Sequence, residues 1–92
     1  MIILTVPDLG PLTEPLRITA WLVLPGEVVR RDDPVVELGI GGLVADVTAP
    51  CGGRVVGPLP PLDQVVQPGQ PLARIEPTLA SAGESPPGSA IP

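Results

Sequence analysis

Glu27-Val28-Val29-Arg30-Arg31-Asp32-Asp33-Pro34-Val35 finds a counterpart thirty-seven positions later in Gln64-Val65-Val66-Gln67-Pro68-Gly69-Gln70-Pro71-Leu72. The same shift places Arg17-Ile18 on Arg54-Val55 and Leu38 on Ile75. Each copy carries a brief valine pair, a polar turn and a proline that opens an apolar run. Two halves with one order of turns and strands predict two sheets packed face to face about a pseudo-two-fold axis.

Working outward, apolar runs of strand length alternate with turn residues along most of the chain. They are Ile2 to Val6, Leu16 to Leu24, Val28-Val29, Val35 to Leu38, Leu43 to Val47, Arg54 to Val56, Val65-Val66 and Leu72 to Ile75. About eight short strands at this spacing predict an all-β sandwich or barrel. No segment shows a sustained helical period with caps. Gly39-Ile40-Gly41-Gly42 falls between the halves and is expected to form a hairpin turn, with Gly39, Gly41 and Gly42 at positive φ. A glycine-rich phosphate cradle is the competing reading, but a following helix and a lysine are both missing. From Pro77 to Pro92 the chain is mainly Ala, Ser, Gly and Pro, so residues 77–92 are expected to be a flexible tail after a single domain of residues 1–76.

Composition bounds what such a domain can do. Of 92 residues 43% are apolar, yet there is no Phe or Tyr and one Trp, so aliphatic side chains must fill the core. A chain this short buries only about 60% of its unfolded surface, which leaves a small stability margin. The five basic residues are all Arg, ten residues are acidic, and the net charge is −5. A surface without a basic stripe argues against nucleic acid and anionic membrane as partners. No apolar run reaches the ~20 residues that span a bilayer. The N-terminus lacks the pattern of a secretory signal, and the single cysteine fits a reducing cytoplasm.

Without His or Lys there is no imidazole base and no side-chain amine. An independent enzyme is not expected, and neither is a metal site. Cys51 reads as a packed thiol. Trp21 is expected at the sandwich edge.

Three stretches carry a family resemblance. Val6-Pro7-Asp8-Leu9-Gly10 resembles the opening of lipoyl domains, and Trp21 to Leu38 is similar to their central signature. Ala49-Pro50-Cys51-Gly52-Gly53-Arg54-Val55 resembles the segment that opens their second half, and Val66 to Leu72 its later turn. The match covers residues 1–76 and points to the lipoyl/biotinyl carrier family, nearest the lipoyl domains of 2-oxo acid dehydrogenase acyltransferases. It implies a flattened sandwich of two four-stranded antiparallel sheets with quasi-two-fold symmetry. It also implies a lysine at the central hairpin tip, joined by an amide to lipoate or biotin, which swings between active sites of a multienzyme complex.

The family typically reads Glu-Thr-Asp-Lys-Ala where this chain has Gly39-Ile40-Gly41-Gly42-Leu43. The modified lysine thus aligns with Gly42 and the preceding acid with Gly41. Slipping the alignment recovers nothing, because the chain has no lysine and its only primary amine is at Met1. No cofactor is therefore expected. In the family, acids near this hairpin help partner enzymes recognise the domain, so Glu37, Ile40, Leu43 and Asp46 are docking candidates. Against that, Glu37 and Asp46 read equally well as solvated strand charges, and one of Ile40 and Leu43 as folded back on the sandwich.

Three functions are weighed. The first is a lipoyl-like interaction or structural module without an attachment lysine, whose partners are components of an acyltransferase or dehydrogenase complex. The second is a lipoyl or biotinyl carrier domain, of a 2-oxo acid dehydrogenase complex or a carboxylase, whose lysine was lost by error or engineering. The third is an unmodified spacer of the kind found in export adaptors, against which the lack of a helical hairpin counts.

Overall fold

A computed structural model describes residues 1–12 and 14–77, and the described residues contain eight strands and no helix. These are β1 (Ile2–Thr5), β2 (Leu16–Trp21), β3 (Val28–Val29), β4 (Pro34–Ile40), β5 (Leu43–Thr48), β6 (Gly53–Val56), β7 (Val65–Val66) and β8 (Pro71–Glu76). One sheet has the order β1-β8-β6-β3 and the other β5-β4-β2-β7, with every pairing antiparallel. Exchanging β1, β2, β3 and β4 with β5, β6, β7 and β8 turns one order into the other. This is the pseudo-two-fold pair of sheets that the repeat predicts, with the four strands in each that the resemblance implies.

The symmetry extends to single hydrogen bonds. Asp32 N–H donates to Ala49 O at 2.8 Å and Ala49 N–H to Asp33 O at 2.8 Å; their mates are Gly69 N–H to Val6 O at 2.8 Å and Val6 N–H to Gln70 O at 2.9 Å. Arg17 Nη1 donates to Asp63 O at 3.1 Å, and its mate Arg54 Nη1 to Gly26 O at 2.8 Å.

Four turns share one chemistry: Leu24–Glu27, Arg30–Asp33, Pro61–Gln64 and Gln67–Gln70 each close with an N–H of the fourth residue on the carbonyl of the first. The third residue has positive φ in all four, at Gly26, Asp32, Asp63 and Gly69. Asp is among the few L-residues that tolerate this region. In three of them the last side chain accepts back from the first N–H, as Asp33 Oδ2 does from Arg30 N–H at 2.8 Å. The remaining turn starts at Pro61, which has no N–H to give.

Among the described residues, sixteen apolar ones form the core, with Ile18, Val35, Val36, Leu38 and Ile75 fully excluded from solvent. In β2 the alternation is plain: Leu16 and Ile18 face in while Arg17 and Thr19 face out. In β4 and β8 two successive residues face in, Val35-Val36 and Leu72-Ala73. A register shift in each strand leaves Val35 and its mate Leu72 outside the ladder, which permits consecutive inward side chains. Cys51 is half-buried against the core, as expected; Trp21, also half-buried, closes the inner strand β2, with its Nε1–H donating to Pro60 O at 2.7 Å.

Two expected boundaries need correction. Leu22 to Leu24 do not continue β2: Leu22 N–H still reaches Val35 O at 2.9 Å, but the chain then leaves the sheet for the turn at Pro25-Gly26. Gly39 and Ile40 belong to β4 and not to the hairpin turn. Of the expected 77–92 tail, all but Pro77 lies outside the described residues.

Candidate functional site: the β4–β5 hairpin tip

β4 and β5 are joined by Gly41-Gly42 alone, between the paired residues Ile40 and Leu43. Gly41 has φ +51° and Gly42 φ +92°. Positive φ at both central residues is the signature of the type I′ turn, whose twist suits a two-residue hairpin. Gly39, expected at positive φ, instead pairs within the sheet with Arg17 on one side and Val44 on the other. Its need for glycine is spatial: a Cβ there would stand 2.6 Å from Thr19 Cγ2.

The bare backbone at Gly39 lies in an open groove of about 510 Å³, walled by Pro15, Arg17, Thr19, Ile40, Leu43 and Val44. Glu14 reaches this groove from the loop before β2, and a Cβ at Gly41 would collide with its carboxylate. Among the described residues, nothing lies within 4 Å of the place a Cβ would take at Gly42. Sequence reasoning missed Glu14, Pro15, Arg17 and Thr19. The antiparallel pairing of β2 with β4 would have brought Arg17 and Thr19 beside Gly39, but no signal in the chain announces that the loop carrying Glu14 bends over the turn.

The predicted docking residues divide. Ile40 is half-buried and packs on the core, so it is the member of the pair that folds back, while Leu43 is 74% exposed and its neighbour Val44 63%. Glu37 and Asp46 sit directly opposite one another across β4 and β5. Glu37 is half-buried, and Thr19 Oγ1 lies 2.9 Å from its Oε1 and 3.1 Å from its backbone O, so the single hydroxyl proton serves one or both acceptors. Thr19 can reach there because it is the extra residue of a bulge in β2, between Ile18 and Ala20. Asp46 is exposed, and no hydrogen bond among the described residues engages its carboxylate.

The residues at the tip do not fit amide attachment of lipoate or biotin. Such a bond needs an amine, Gly42 has no side chain, and the sequence contains no lysine. Met1 precedes β1, at an edge of the other sheet.

Comparison with known proteins agrees with the fold and its resemblance. The family profile described as "Biotin-requiring enzyme" matches residues 3–75. The chain is 32% identical over 76 residues to the dihydrolipoyllysine-residue acetyltransferase component of the pyruvate dehydrogenase complex of Corynebacterium glutamicum. That alignment takes in 83% of this chain and spans only 11% of the relative's length. The solution structure of the lipoyl domain of the Azotobacter vinelandii 2-oxoglutarate dehydrogenase complex superimposes with a TM-score of 0.66. It shares 22% sequence identity and covers 83% of this chain and 96% of that domain, a likeness of fold. The two four-stranded sheets, their internal two-fold and the matched residues together establish that this chain belongs to the lipoyl/biotinyl domain family.

Proposed function

We propose that this domain is a non-catalytic interaction or structural module of a multienzyme assembly, keeping the family's fold without the chemistry of the swinging arm. The observation that supports the reading is the Gly41-Gly42 turn, two residues without side chains at the tip, of which the resemblance aligns Gly42 with the family's modified lysine. An amide to lipoate or biotin cannot form there, so the domain works without a prosthetic group. It is not itself an enzyme: with no His and no Lys it offers neither an imidazole base nor a side-chain amine.

The partners are other proteins, of the kind that build acyltransferase and dehydrogenase complexes in the cytoplasm. The relatives' membership of pyruvate and 2-oxoglutarate dehydrogenase complexes supports that choice. Docking uses the hairpin end, where Leu43 and Asp46 are the accessible members of the set Glu37, Ile40, Leu43 and Asp46.

Co-expression with a lipoate ligase and, separately, with a biotin ligase tests the reading. The intact mass is expected to equal that of the unmodified chain in both cases. A lipoyl or biotinyl adduct would overturn it.

A further inference from the structure

Among the described residues the two sheets have four edge strands, and they are not equally guarded. β3 and β7 are two residues long, and β1 has four residues with a register shift after Leu4. β5 has six, pairs with β4 without interruption from Leu43 to Val47, and contains no Lys, Pro or Gly. Short length, bulges, proline and charged side chains, lysine above all, are the usual means of keeping an edge from accepting another strand. Of these β5 has only the charge of Asp46.

The unsatisfied groups of this edge can be placed. The turn bond of a two-residue hairpin joins Ile40 and Leu43, and antiparallel hydrogen-bonded pairs then alternate along the ladder. Leu43, Ala45 and Val47 therefore direct N–H and C=O towards β4, whereas Val44, Asp46 and Thr48 direct theirs to the open side. The same three residues put their side chains on the outer face of the sheet, opposite the buried Val47 face.

Charge then selects an occupant. Asp46 faces Glu37 in a non-hydrogen-bonded pair, the type in which side chains stand closest, and like charges directly opposite are destabilising. A residue added beyond Asp46 would extend the row Glu37–Asp46, and a cation there would answer the exposed Asp46 carboxylate, since that of Glu37 is engaged by Thr19 on the far side of β4. Two pairs towards the tip, on the same face, the row is Arg17–Gly39–Val44, with Val44 exposed beside the groove, and the added residue there would be apolar. A second copy of this chain, itself at −5, is the wrong occupant.

We propose that β5 takes up an extended segment of a partner protein as an additional antiparallel strand, one carrying a basic residue opposite Asp46 and, two residues later, an apolar residue opposite Val44. Main-chain bonds to Val44, Asp46 and Thr48 supply the affinity, and the two outward side-chain positions supply the selectivity. The proposal rests on the reading of the domain as an interaction module and names the surface and the chemistry of what it binds.

The full chain, labelled with 15N, would be titrated with the blocked peptide Thr-Thr-Arg-Thr-Val-Thr-Thr and with the same peptide carrying Glu in place of Arg. Amide shifts are expected to centre on Val44, Asp46 and Thr48, and the Glu peptide to bind at least about 5-fold more weakly. Asp46→Arg, a change at an exposed position, is expected to invert the preference. The wild-type comparison stands without that variant. Equal affinities, shifts centred elsewhere, or no binding of either peptide would overturn the proposal. So would concentration-dependent shifts on β5 without peptide, which would assign the edge to a second copy. None of these results changes the mass of the chain, so an unmodified mass with no peptide binding would sink the strand proposal alone.

Discussion

At the residue scale the question is what Gly42 costs to replace. Its φ of +92° lies where L-residues are disfavoured, yet no described residue comes within 4 Å of a Cβ there. Gly42→Lys is therefore expected to fold and to lose about 1–2 kcal/mol from backbone strain alone. Urea denaturation would measure it; a loss several times larger would mean that the open space is not there. Gly41→Asp should cost more, because its side chain meets the Glu14 carboxylate and adds like charge to a strained φ. Glu14→Ala is expected to restore part of that loss, and additive effects of the two changes would contradict the contact. The place of Gly42 in the hairpin turn was legible in the sequence, from glycines lying between two apolar runs. Glu14 was not, because contact between a loop and a turn twenty-seven positions away depends on how the sheet closes.

At the element scale, most strands announced themselves as apolar runs between Pro and Gly. The bulges did not. An extra residue such as Val35 or Thr19 leaves the hydrophobic pattern of a short strand almost unchanged while redirecting side chains. For the same reason Gly39 reads as part of a loop in the sequence, although it is a ladder residue whose missing side chain makes room for Thr19. Gly39→Ala is expected to destabilise by about 1–3 kcal/mol through overpacking against Thr19 Cγ2. Thr19→Ser removes that methyl and keeps the hydroxyl bonded to Glu37, so the double variant should recover most of the loss. A double-mutant cycle with no coupling would show that strain arises elsewhere.

For the whole molecule, the internal two-fold makes quantitative demands on stability. Leu38 and Ile75 are symmetry mates, both fully buried, one in each sheet. Leu38→Ala and Ile75→Ala should each cost about 2–5 kcal/mol, a large share of what a domain this small possesses. Equilibrium denaturation should find the two losses similar; a loss confined to one sheet would mean that the halves do not share a core. This level was the most legible of the three. The thirty-seven-residue shift in the sequence already contains the paired turns, the paired prolines and the paired core positions. What it does not contain is the way β1 and β5 extend the two halves, because those strands follow a different offset: Val6 and Ala49 make equivalent bonds forty-three positions apart.

The chain thus combines an intact family fold with a hairpin tip made of backbone. Intact mass after co-expression with lipoate ligase tests that combination most directly, with Gly42→Lys and its Gly41→Asp companion run beside the wild type. The wild-type chain is expected at its unmodified mass, whatever the variants acquire. A lipoyl adduct on the wild type would contradict the account, because it would place an acceptor amine where the sequence has none.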